Sequence, residues 1–124
     1  MSTKTVLHIE DNEFNRKIVR QLLTQTSYRL IEAVDGESGV AMALAERPDL
    51  ILMDVQLPKL SGLDATRLLR ADPRTANIPL VVVTSFALSG DHRKAMDAGA
   101  SAYLAKPYSP RDLMALIHRF LPDN

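Results

Sequence analysis

Apolar residues along this chain fall into two alternating patterns. Short unbroken runs recur at Thr5–Ile9, 50–53 and 80–83, aliphatic or β-branched on consecutive residues and closed by polar, Gly or Pro residues. Unbroken apolarity, rather than strict in–out alternation, predicts strands covered on both faces, as in a parallel sheet. Residues 28–33 and 101–105 are more mixed and suit the sheet edges.

Longer amphipathic stretches separate the runs. Phe14, Ile18, Val19, Leu22 and Leu23 share one helical face, with Arg16, Lys17, Arg20 and Gln21 largely elsewhere. Asp35 can cap a helix carrying Val40, Ala41 and Leu44, which must stop near Arg47 because Pro48 follows. Ser61 and Asp64 form a capping box ahead of Ala65, Leu68 and Leu69. Ser89 suits the cap of a short helix through Ala95 and Met96, ended by Gly99 at C′. Ser109 before Pro110 opens a last helix with Leu113, Met114, Ile117 and Phe120 inward. Five strand-plus-helix units with crossovers too long for hairpins predict an open parallel α/β sheet with helices on both faces. A barrel would need eight units and about twice the length.

Composition narrows the picture. At 124 residues, 46% hydrophobic and 24% charged, the chain reads as one soluble domain spanning 1–124. Fifteen basic against fifteen acidic residues argue against a general grip on nucleic acid or anionic membrane. The absence of cysteine removes disulfides, thiolate nucleophiles and Cys-based metal sites. Residues 1–5 do not resemble a signal peptide, and a run such as 80–83 is far too short to span a bilayer, so the expected location is cytoplasmic with no membrane insertion.

In an open sheet of this kind, ligands bind beyond the carboxyl ends of the strands. Those ends carry Glu10 and Asp11, then Asp54, Thr84, and Lys106 with Pro107. Singly, each could be a turn starter or a cap. Jointly they place three carboxylates, a hydroxyl and an ammonium on one edge. Two carboxylates about 5 Å apart repel by roughly 3 kcal/mol at an effective dielectric near 20. Lys106 neutralises one charge at most, so a hard divalent cation such as Mg²⁺ is the natural remedy. A cation, a lysine and a hydroxyl around one carboxylate suit a phosphoryl group, the aspartate oxygen attacking in line.

Four ordered motifs carry a family resemblance: Val6-Leu7-His8-Ile9-Glu10-Asp11-Asn12; Asp49-Leu50-Ile51-Leu52-Met53-Asp54-Val55-Gln56-Leu57-Pro58 with Ser61-Gly62; Pro79-Leu80-Val81-Val82-Val83-Thr84-Ser85; and Gly99-Ala100-Ser101-Ala102-Tyr103-Leu104-Ala105-Lys106-Pro107. With them the chain resembles the receiver domain of bacterial response regulators over essentially its whole length, and more narrowly the stand-alone receivers of chemotaxis and cell-cycle phosphorelays, which have no output domain. The resemblance implies a flavodoxin-like five-stranded sheet of order 2-1-3-4-5. It implies that Asp54 accepts a phosphoryl group from a phosphohistidine on a sensor histidine kinase or histidine phosphotransfer protein. Asp11, Asp54 and the backbone carbonyl of Gln56 would bind Mg²⁺ directly, and Glu10 mainly through water. Lys106 would pair with the carboxylate or phosphoryl oxygens, with a cis bond to Pro107 and with Ser85 beside the phosphate. Thr84 would be the switch hydroxyl and Tyr103 the aromatic that changes rotamer, drawing 84–90 inward and altering how a downstream protein, or a second copy in a homodimer, binds. Such a protein is a phosphoacceptor that promotes its own phosphorylation and dephosphorylation rather than a conventional enzyme.

Other residues read as ordinary. His8 suits a core histidine with a satisfied hydrogen bond, and His92 and His118 suit the rim. Met42, Met53, Met96 and Met114 read as packing, and Arg67, Arg70 and Arg74 as a solvated face. Gln56 and Phe86, each two residues past a site residue, stand where water would approach an acyl phosphate; a plain packing role for Phe86 serves equally well. Three rivals remain. A phosphatase of the haloacid dehalogenase type wants Asp-x-Asp where this chain has Asp54-Val55-Gln56. A flavin-binding electron carrier wants a Ser/Thr/Gly-rich loop where Glu10-Asp11-Asn12-Glu13 stands. A degenerate receiver would bind partners without phosphorylation.

Overall fold

The computed structural model describes residues 3–85 and 91–122. Five strands and five helices alternate in this region: β1 Thr5–Ile9, α1 Glu13–Leu23, β2 Arg29–Ala33, α2 Gly36–Glu46, β3 Leu50–Asp54, α3 Gly62–Ala71, β4 Leu80–Thr84, α4 Asp91–Ala98, β5 Ala102–Ala105 and α5 Pro110–Phe120. All pairings are parallel and the order is β2-β1-β3-β4-β5, as the resemblance implied.

Alternate residues of each central strand feed two separate cores. Leu7, Ile9, Ile51, Met53, Leu80 and Val82 pack with Ala43, Ala65, Leu69 and Ala95 under α2, α3 and α4. Val6, Leu50, Leu52, Val81 and Val83 pack with Val19, Leu23, Leu113 and Ile117 under α1 and α5. Covering both faces is what requires apolar residues on consecutive positions, and β3 and β4 are buried throughout. β2 and β5 lie at the edges and are only partly buried.

Helix starts follow local chemistry. Side chains of Asn12, Asp35, Ser61 and Ser109 accept hydrogen bonds from the backbone N–H of Asn15, Ser38, Asp64 and Asp112, at 2.9, 2.7, 3.2 and 3.1 Å. The Asn12 cap is an Asx cap like that of Asp35, although the chain's pattern alone draws attention to the carboxylates beside it. Gly99 ends α4 with φ of 109°, a left-handed geometry that favours glycine. The expected Ser89 cap and Phe86 lie outside the described residues.

Several sequence expectations need correction. Phe14 is 69% exposed and lies on the lining of a surface cavity rather than in a core. Leu68 and Met96 are also largely exposed, and Ala41 faces outward on α2. β2 begins at Arg29, which leaves Tyr28 to pack in the α1–α5 core and donate its hydroxyl to the Leu121 carbonyl at 2.6 Å. Arg70 is no solvated residue. It is half-buried, and its guanidinium donates to the carbonyls of Gly99, Ala76 and Ile78 and to Ser101 Oγ at 2.7, 3.1, 2.7 and 3.1 Å. His8 is buried as expected, but among the described residues its Nδ1 has no hydrogen-bond partner.

Candidate functional site

Because β1, β3, β4 and β5 run parallel, their carboxyl ends deliver side chains to one edge of the sheet. Asp54 and Thr84 are the last residues of β3 and β4, and Glu10 and Lys106 follow β1 and β5 directly. Backbone bonds fix these end positions: Glu10 N–H donates to the Ala33 carbonyl at 3.0 Å and Lys106 N–H to the Thr84 carbonyl at 2.7 Å. The peptide between Lys106 and Pro107 is cis.

The structure brings Glu10, Asp11, Asp54 and Lys106 together. One carboxylate oxygen from each of the three acids lies within 4.8 Å of the other two. Lys106 Nζ donates to Glu10 Oε1 at 2.7 Å and to Asp54 Oδ2 at 3.3 Å. Glu10 and Asp54 are 2% and 5% exposed, whereas Asp11 is open to solvent. Asp54 Oδ1 accepts from the Gln56 N–H at 3.2 Å, and Glu10 Oε2 from the Asn12 N–H at 3.3 Å. Thr84 is fully buried in the same strand layer. Across the mouth, Ser85 Oγ donates to the Gln56 side-chain carbonyl at 3.2 Å, tying the loops after β3 and β4 together.

Charge is unbalanced here. Burial tends to pull the Lys106 ammonium's pKa down, but its hydrogen bond to Glu10 and the charge of Asp54 outweigh this, and the net shift is upward. Lys106 therefore stays a cation facing two buried carboxylates, with Asp11 adding a third negative charge. All-oxygen donors, two of them buried and one open to water, fit a hard divalent cation and leave coordination positions for water or a ligand.

Two supporting residues escaped the sequence reading. Arg16, placed among the solvent-facing residues of α1, is half-buried and donates from Nη1 to the Glu10 carbonyl at 2.8 Å. Only the position of α1 over the strand end reveals this. Gly62 opens α3 with its Cα pressed on the main chain of Asp54 and Val55, where any Cβ would collide with the Asp54 carbonyl. Its place in the Ser61-Gly62 motif was visible, but the reason for glycine was not. Tyr103 is half-buried, its hydroxyl oxygen is enclosed, and the ring meets His92 of α4 edge-on at 5.0 Å between centroids.

Beside the acids lies a cavity of about 450 Å³ lined by Phe14, Asn15, Ile18, Ser85, Lys106, Pro107, Tyr108 and Pro110. It joins the site through Lys106 and Ser85. Among the described residues, no helix is long and apolar enough to cross a membrane.

Known proteins place this arrangement. The profile of the response regulator receiver domain matches residues 6–118. The chain is 40% identical over 120 residues to the polar-differentiation response regulator DivK of Brucella anthropi, covering 97% of this chain and 98% of the relative. Among solved structures, the receiver domain of the sensor histidine kinase PA1611 of Pseudomonas aeruginosa superposes with a TM-score of 0.90 at 34% identity, covering 98% of this chain and 100% of the other. That domain was crystallised with a magnesium ion coordinated in its active-site cleft. The chemotaxis response regulator CheY4 of Vibrio cholerae gives a TM-score of 0.89 at 25% identity, covering 96% and 99% of the two chains. With the strand order, the clustered acids and these likenesses in agreement, the chain belongs to the response regulator receiver family, whose general function is to accept a phosphoryl group on an aspartate.

Proposed function

We propose that Asp54 is the phosphoacceptor and that Glu10, Asp11 and Asp54, with the Gln56 carbonyl, hold Mg²⁺ beside it. The observation that carries this reading is the convergence of three carboxylate oxygens within 4.8 Å around a buried aspartate already paired with Lys106. The bound ion supplies positive charge that offsets the acids and the incoming phosphoryl oxygens.

The chain's own residues do the rest. The Gln56 N–H and Lys106 Nζ each hold one oxygen of Asp54, so the carboxylate is oriented before the donor arrives. An Asp54 oxygen attacks phosphorus in line, the new O–P bond forming as the donor's N–P bond breaks. The bonding pair leaves with the donor imidazole. Lys106 remains close enough to meet the charge that builds on the phosphoryl oxygens. Thr84 and Tyr103 report the new state, the former by bonding a phosphoryl oxygen and the latter by turning its ring inward into the space that this movement opens. Ser85 at the mouth and the Pro107 turn shape the approach. Slow hydrolysis of the acyl phosphate resets the protein.

The donor is a phosphohistidine on a kinase or phosphotransfer protein, and the apolar cavity that shares Lys106 and Ser85 with the site is where that protein seats. A downstream protein reads the product. The pairing of Lys106 with Asp54 and the clustering of the three acids support this reading over a phosphorylation-independent role.

Incubation with acetyl phosphate and Mg²⁺, followed by intact mass, tests the assignment. The expected result is one added phosphoryl group that is lost in Asp54→Ala and when the metal is chelated. A parent protein that gains no mass overturns it.

A further inference from the structure

We infer that His92 is the positioning residue that keeps the Tyr103 ring inward, and so biases the chain toward its phosphorylated arrangement. The inference rests on the phosphoacceptor reading above. It starts from three observations on the α4–β5 side of the fold.

First, the Tyr103 ring is already turned in. The residue is half-buried, its hydroxyl oxygen is enclosed, and it packs on the core formed with Val82, Ala95 and Ala100. Second, the exposed His92 imidazole meets that ring at 5.0 Å with an interplanar angle of 75°, an edge contact of the favourable kind. The contact is made with the ring inward, so a swing of the ring toward solvent has to break or rearrange it. Third, Tyr103 sits opposite Val82 in the β4–β5 register, two residues before the Thr84–Ala105 pair that precedes Lys106. The covered ring is thus one strand pair and two residues from the site.

The physical consequence is a shift in a two-state balance. An edge contact between aromatic rings is worth about a two- to twelvefold preference for the geometry that makes it. Whatever favours the inward ring must also favour any ligand that binds better when the ring is inward, by the same factor at most. His92 therefore lends its contact to phosphoryl-state affinity without touching the phosphoryl group.

The test compares the full chain with His92→Ala and His92→Phe, the second keeping an aromatic edge at this position. Three tyrosines make ring-labelled NMR tractable, with Tyr103 identified by Tyr103→Phe. In the unligated protein, the Tyr103 signals of His92→Ala should become more accessible to a soluble paramagnetic reagent, and His92→Phe should resemble the parent. The Kd for beryllofluoride with Mg²⁺, a mimic of the acyl phosphate, should rise in His92→Ala by up to about tenfold and recover in His92→Phe. A merely structural role would move the unfolding midpoint without moving either readout. Unchanged Tyr103 accessibility in His92→Ala overturns the inference, as does an equal change in His92→Phe. A moved ring with an unchanged Kd overturns the coupling. If beryllofluoride binds none of the three, the phosphoacceptor reading fails, and the tyrosine signals still decide whether His92 holds the ring.

Discussion

His8 shows what burial does to a single residue in this fold. Its imidazole is enclosed in β1, and desolvation brings its pKa down to about 4 from 6.5, against the opposing pull of nearby Glu10. The folded chain therefore keeps His8 neutral where the unfolded chain would protonate it. Between about pH 6.5 and pH 4 the unfolded state binds the extra proton, so the neutral ring's contribution is intact above that window and is lost as pH falls through it. For the metal-free protein, going from pH 7 to pH 5 should cost about 2 kcal/mol through this residue. Urea titrations at both pH values check this, and His8→Leu should flatten the difference whatever it does to absolute stability. The same residue marks a limit of reading a chain by eye. A histidine in an apolar run announces burial, but whether Nδ1 finds a partner depends on neighbours from other elements. Phe14 teaches the converse: helical spacing gave it an apolar face, yet in the fold it stays exposed at a cavity.

At the scale of elements, Arg70 is the chief surprise. On the helix alone it belongs with Arg67 and Arg74, and those two do pair with the nearby acids Asp64 and Asp72. One position differs because α3 ends against the loop before β4 and the turn before β5, where carbonyls point inward without strand partners. The five-donor fork of a guanidinium can serve several of them at once, which a lysine cannot. Burial lowers the Arg70 pKa. Arg70→Met should leave the Gly99, Ala76 and Ile78 carbonyls short of donors and cost about 1–3 kcal/mol. Arg70→Lys should recover little of that, read as the urea midpoint at unchanged slope. The five strand-plus-helix units, the helices on both faces and three of the helix caps were legible from runs, periodicity and Ser/Asp placement, whereas the strand order followed from the family resemblance. The clamps between elements were not, since a long polar side chain looks the same in sequence whether it meets water or a buried carbonyl.

The whole molecule is held together around an excess of negative charge. Folding brings Glu10, Asp11 and Asp54 to one place, with Lys106 the one cation paired to their carboxylates among the described residues, so part of the folding free energy is spent on repulsion. A cation bound only by the folded form returns it, adding about 2.7 kcal/mol at a concentration a hundred times its Kd. Millimolar Mg²⁺ should therefore raise the thermal midpoint, and Asp11→Asn should shrink that gain while stabilising the metal-free chain. The arrangement of the cavity gives a further expectation. Phe14→Ala removes an exposed ring from its lining and none of the acids. Phosphotransfer from a histidine-containing donor protein should slow about tenfold more than phosphorylation by acetyl phosphate, with the loss in KM, a cost typical of one aromatic anchor.

The order in which the reactive side chains come off the sheet has one more consequence. Glu10 comes from the first strand, Asp54 from the third, Thr84 from the fourth and Lys106 from the end of the fifth, and no two neighbouring strands of the sheet are joined by a short hairpin. No fragment of the sheet can assemble the acceptor in miniature. A chain still emerging from the ribosome has the nucleophile long before it has the lysine, and so stays chemically silent until synthesis has passed β5 and the last strand has docked.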